Sequence, residues 1–81
     1  MNEQMDSRMT ELGLNIAYYR KINGLTQIQL AQEVGISRTH VSNIEAPKRA
    51  THISVETLFK IADALNIEPW RLLVFHRDKK M

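Results

Sequence analysis

The sequence predicts an all-α fold of five helices, and three observations predict it. Apolar residues return at intervals of three and four in successive stretches, which marks helices with one buried stripe. Ser or Thr stands immediately before three of those stretches, where a side-chain oxygen accepts from a free helix N–H. No stretch alternates apolar and polar residues at the two-residue period of a half-buried strand. The chain has 81 residues and no cysteine. One modest core of packed helices must therefore hold it together without disulfides. A single domain is expected over residues 1–81, compact from about 7 to 75 and frayed at both ends.

The first helix is predicted from Asp6 or Ser7 to Ile22, with Leu12, Ile16 and Tyr19 on its buried stripe. Asn23-Gly24 ends it. Thr26, followed by Gln29 three residues on, forms a capping box for the second helix, whose Leu30, Ala31 and Val34 face inward. Gly35 stops that helix and makes a tight turn, because it accepts a left-handed backbone. Ser37 caps a third helix to about Ile44 or Glu45, with Ile36, Val41 and Ile44 on its apolar side. Residues 46–53 lack a period, contain Pro47 and read as a loop. Ser54 caps a fourth helix with Leu58, Ile61, Ala62 and Leu65 inward, and Glu56 suits the dipole of its first turn. Asn66 to Glu68 closes it. Pro69 opens a short fifth helix with Trp70, Leu73 and Val74 on its apolar side, and residues 77–81 form a basic tail expected to fray.

Composition narrows the function classes. Without cysteine there is no thiolate metal site and no thiol nucleophile. His40, His52 and His76 show no short ligand spacing, so no metal and no cofactor are expected. A Gly-rich nucleophile turn is missing too, and an enzyme is not expected. The N-terminal MNEQMDSRM is charged, so neither a secretory signal nor a membrane anchor is expected, and no segment is apolar enough to span a bilayer. These features point to a cytoplasmic location. The net charge is +2, but it is unevenly placed. Residues 15–53 carry Arg20, Lys21, Arg38, Lys48 and Arg49 against Glu33 and Glu45. That local surplus suits phosphate binding and suits an ordinary solvated surface as well.

The stretch from Leu25 to Glu45 carries the most information. Two short helices joined by a Gly-containing turn place the second, residues 37–45, with Val41 and Ile44 behind and Arg38, Thr39, Ser42 and Asn43 in front. A helix of this width enters the major groove of B-form DNA. There Arg38 suits guanine, Asn43 suits adenine, Thr39 suits a base or a phosphate through its hydroxyl or thymine through its methyl, and His40 and Ser42 reach bases or backbone. The same side chains equally describe a polar helix facing solvent. Two placements favour DNA: Ser37 opens the helix with free N–H groups, and Gln27 sits beside the cap of the preceding helix.

Thr26, Gln27, Leu30, Ala31, Gly35, Ser37, Val41, Ser42, Ile44 and Glu45 resemble the helix-turn-helix of the phage repressor and Cro family of DNA-binding domains. The resemblance extends to Leu12, Ile16 and Arg20, and to Thr57, Leu58, Ile61, Ala62 and Leu65, covering about residues 10–74. It implies a five-helix lambda-repressor-like fold and a regulator of transcription bound to double-stranded DNA. It implies that Gln27 bonds a phosphate, that Arg38, Thr39 and Asn43 read bases, and that Ser37, His40 and Ser42 flank them. It also implies a partly buried ion pair between Arg20 and Glu45. The chain departs from the family at Ala46-Pro47, where many members carry Asn-Gly. Pro47 removes one backbone donor, which leaves Lys48 and Arg49 to meet phosphate through charge.

The segment Trp70, Leu72, Leu73, Val74 and Phe75 is more apolar than one face of a short helix requires. Trp70, Leu72, Leu73 and Phe75 are therefore expected at a homodimer interface. Two-fold pairing would set two reading helices about one DNA turn, ~34 Å, apart on a palindromic operator. An antitoxin-like protein-interaction module of the same fold is the alternative.

Overall fold

The computed structural model describes residues 3–76. The basic tail at 77–81 and residues 1 and 2 lie outside the described residues. Four α-helices follow in order: α1 (Glu3–Ile22), α2 (Gln27–Val34), α3 (Arg38–Glu45) and α4 (Val55–Ala64). A 3-10 turn, Pro69–Leu73, comes last, and there is no strand among the described residues.

Two boundaries differ from the sequence expectation. Helix α1 is already formed at Glu3, the first described residue, ahead of the expected Asp6 or Ser7. Glu3 and Asp6 occupy its first turn and Arg20 and Lys21 its last, so both ends complement the helix dipole. The expected fifth α-helix is a 3-10 turn five residues long. Its burial also runs out of phase with the expectation. Leu72 is 0% exposed and joins the core, whereas Trp70 is 58% and Leu73 47% exposed. Five residues are too few to fix a helical phase, and a three-residue turn places side chains differently from a 3.6-residue one.

Local chemistry sets the other ends. Thr26 Oγ1 accepts from Gln29 N at 3.1 Å while Gln29 Oε1 accepts from Thr26 N at 2.8 Å, completing the capping box of α2. Ser37 and Ser54 cap α3 and α4 by accepting from His40 N and Thr57 N, each at 3.0 Å. Gly35, at φ 83°, closes α2, and both its N–H and that of Ile36 donate to the Ala31 carbonyl. Asn66 closes α4 in the same left-handed way, at φ 59°. Helix α3 ends differently. Ala46 stays extended at ψ 124° because it precedes Pro47, and proline disfavours a helical neighbour on its N-terminal side.

One core holds these elements. Leu12 and Ile16 of α1, Leu30, Ala31 and Val34 of α2, Val41 and Ile44 of α3, Leu58, Ile61 and Ala62 of α4, Leu65 and Leu72 are all buried. Tyr19, Ile36 and Phe75 pack against them, while Tyr18 is exposed with its ring edge-on to Tyr19. Helix α3 is packed by α1 and by α2. Among the described residues no helix is long and apolar enough to cross a membrane.

Candidate nucleic-acid interface

Helix α3 advances about 100° per residue. Val41, Ile44 and Glu45 are buried and define its back. Thr39 and Asn43 then stand opposite, with Arg38 and Ser42 on one shoulder and His40 on the other. Exposure depends on position along the helix more than on this wheel, and Asn43 is partly covered although it faces away from the core. Ser37, Arg38 and Thr39 are exposed, and His40, Ser42 and Asn43 are half-buried. Ser37 Oγ accepts from the His40 N–H, so its first task is to start the helix.

The back of α3 is unusually polar at one point. Arg20 Nε donates to Glu45 Oε2 at 2.7 Å, and Arg20 Nη2 donates to Glu45 Oε1 at 2.9 Å. Both residues are under one-tenth exposed. A third donor of Arg20, Nη1, reaches the Leu25 carbonyl at 2.7 Å, which ties the end of α1 to the turn before α2. The planar guanidinium suits this fork, and a lysine would not replace it. Gln27 is half-buried, and its Nε2 donates to Glu45 Oε1 at 3.0 Å. The structure thus joins Arg20, Glu45 and Gln27 in one network. Leu14, Ala17, Lys21, Ser42, Ala46 and Pro47 line a shallow notch around it.

Three features of this region were not anticipated. Gly13 is buried where α1 crosses the end of α3, and a Cβ built there would collide with the Ile44 carbonyl oxygen. A glycine in mid-helix costs about 1 kcal/mol against alanine, so it signals a packing reason, but not which helix supplies it. The Thr51 hydroxyl donates to the Asn43 carbonyl at 3.0 Å, fastening the following loop to the last turn of α3. Lys21 borders the notch beside Gln27. Beyond α3, Arg49 N donates to the Ala46 carbonyl at 3.1 Å and closes a β-turn with Pro47 in its second position. The turn leaves Lys48 and Arg49 exposed.

The residues expected at a homodimer interface separate. Trp70 and Leu73 are exposed, with the Arg71 guanidinium 4.9 Å from the centre of the Trp70 ring. Phe75 is half-buried against the core. Leu72 lies wholly inside its own chain, so it cannot take part in an interface, and that expectation is corrected.

Comparison with known proteins agrees with this architecture. A sequence model of the helix-turn-helix family matches residues 16–69. The chain is 39% identical over 62 residues to the control protein C.SmaI of Serratia marcescens, an alignment covering 76% of this chain and 71% of that protein. It is 33% identical to the crystal structure of the restriction-modification controller protein C.AhdI of Aeromonas hydrophila. The TM-score there is 0.72, over 79% of this chain and 94% of that one. The crystal structure of the hypothetical transcription factor NHTF from Neisseria is 31% identical, with a TM-score of 0.76 over 96% of this chain and 83% of that one. From the family match, these relatives and the packing of α2 and α3, the chain belongs to the phage repressor and Cro-type helix-turn-helix family of DNA-binding domains.

Proposed function

We propose that the chain is a cytoplasmic, sequence-specific regulator of transcription that seats α3 in the major groove of double-stranded DNA and acts as a homodimer. One observation carries this reading. The back of α3 is fixed by Val41, Ile44 and the Arg20–Glu45 pair, while Thr39 and the half-buried Asn43 stand on its opposite side and the exposed Arg38 on its shoulder. A rigid mount with a polar front is what base readout requires. Arg38 and Asn43 carry the base contacts, Thr39, His40 and Ser42 support them, and Ser37 and Gln27 meet the sugar-phosphate backbone. Lys48 and Arg49 add sequence-independent attraction from the turn after α3.

Likeness to the control protein C.SmaI and the restriction-modification controller protein C.AhdI favours a small regulator over an enzyme. Among the described residues no group of three or more His, Cys, Asp or Glu could hold a metal ion, and this reading needs none. The homodimer rests on the exposed Trp70 and Leu73, together with Val55 and Phe59, which lie four residues apart on α4 and are also exposed.

Selection of bound duplexes from a random pool, followed by a salt titration on the tightest, tests the proposal. A palindromic site is expected, with affinity falling steeply as salt rises. Arg38→Ala and Asn43→Ala should each cost about 1–3 kcal/mol and relax the preference at particular base pairs. Unchanged preference in both variants would overturn the assignment. Capture of a protein partner without salt-dependent duplex binding would instead favour the interaction module.

A further inference from the structure

Glu45 does more than pair with Arg20. Its Oε1 accepts from Arg20 Nη2 at 2.9 Å and from Gln27 Nε2 at 3.0 Å, while Oε2 accepts from Arg20 Nε at 2.7 Å. A carboxylate only accepts hydrogen bonds, so it can face the NH2 end of the Gln27 amide and not its carbonyl end. A flipped amide would set one oxygen against another. The contact therefore selects one orientation of a side chain that is otherwise free to present either end. Nε2 carries two hydrogens, and Glu45 takes one of them. Gln27 is also the first residue of α2, where the helix dipole favours an anion. Ser42 and Lys21 line the same notch.

We infer that Glu45 is a positioning residue for backbone recognition: anchored by Arg20, its carboxylate sets the Gln27 amide so that the second N–H is presented to a DNA phosphate. This rests on the duplex-binding role proposed above. It gives the buried ion pair a part in affinity as well as in folding. A donor fixed before binding loses less freedom on contact than one that must first be oriented.

The test compares Gln27→Ala in two backgrounds, on the selected duplex and on an unrelated one. In the native background the substitution should weaken both duplexes alike, by about tenfold, because a phosphate contact carries no sequence information. The second background replaces Arg20 with Met and Glu45 with Leu together, which removes the acceptor without stranding a charge. There Gln27→Ala should cost no more than about twofold, and the roughly fivefold difference between the backgrounds exceeds the scatter expected of uncoupled sites. Equal losses in both backgrounds would overturn the positioning role while leaving duplex binding intact. A native chain that bound no duplex would overturn both readings. A second measurement needs no variant. In the nuclear magnetic resonance spectrum of the native chain, one Gln27 side-chain hydrogen should exchange slowly, and added duplex should shift the other. Gln27 hydrogens no better protected than those of the exposed Gln32 would also overturn the inference.

Discussion

The two ends of α3 are held in opposite ways. Its last turn is clamped four times: the Ile44 carbonyl lies against Gly13, Glu45 takes the fork of Arg20 and accepts from Gln27, and the Asn43 carbonyl accepts from Thr51. Its first turn has one side-chain tether, Ser37 to the His40 N–H, and then exposes Arg38 and Thr39. Polar and backbone clamps thus gather at the last turn, while the first turn rests on its cap and on the buried Val41. A short helix gains precision from such an arrangement, because a lever fixed firmly at one end needs no bulky support at the other. Eight residues could not hold this conformation alone, since isolated helices below about 12–15 residues are marginal in water.

Arg20→Ala attacks the clamp most severely. It strands the buried Glu45 carboxylate and should remove about 3–5 kcal/mol, a large share of what a small domain has. Urea unfolding gives the number, and a loss below about 1 kcal/mol, the level of a surface pair, would show that the last turn is not specially held. Gly13→Ala probes the same end through packing alone. Alanine normally improves a helix interior by about 1 kcal/mol, whereas here the new methyl meets backbone and should cost about 1–3 kcal/mol. A rise in Tm on this substitution would refute the close crossing of α1 and α3. Ser37→Ala loosens the other end. It should cost about 1 kcal/mol, the usual worth of an N-cap, and a loss matching that of Arg20→Ala would erase the contrast.

What the sequence revealed divides along the range of the interactions. Thr26 with Gln29, Ser37 and Ser54 were legible as caps because each bond spans three residues. The core stripes of α1, α2 and α4 were legible because period and burial coincide over several turns. Arg20 with Glu45 came from family resemblance, since nothing in the spacing of residues 25 apart announces a contact. Gly13 could not be placed for the same reason: its meaning depends on which helix crosses there. Glu3 and Asp6 did signal a helix start, but weakly, against the general expectation that termini fray. The phase of residues 69–73 was illegible because a single short turn contains no repeat. On the candidate interface, the outward residues of α3 followed from its apolar back. The Gln27–Glu45 bond did not, since it joins two polar residues whose sequence context suits separate roles.

The Asn15 amide donates to two carbonyls at once, Leu72 and Val74, each at 3.0 Å, and so splints the C-terminal segment onto α1. If two copies meet through Trp70 and Leu73, as proposed, that splint joins the meeting surface to the same helix that braces α3. The distance between the paired reading elements would then be dictated by solid geometry, with no hinge to absorb a discrepancy. Such an assembly would tolerate little variation in the spacer between half-sites, because one added base pair turns the second half-site by about a tenth of a helical revolution. Discrimination among sites would thus come partly from a ruler built into the protein, in addition to the letters it touches.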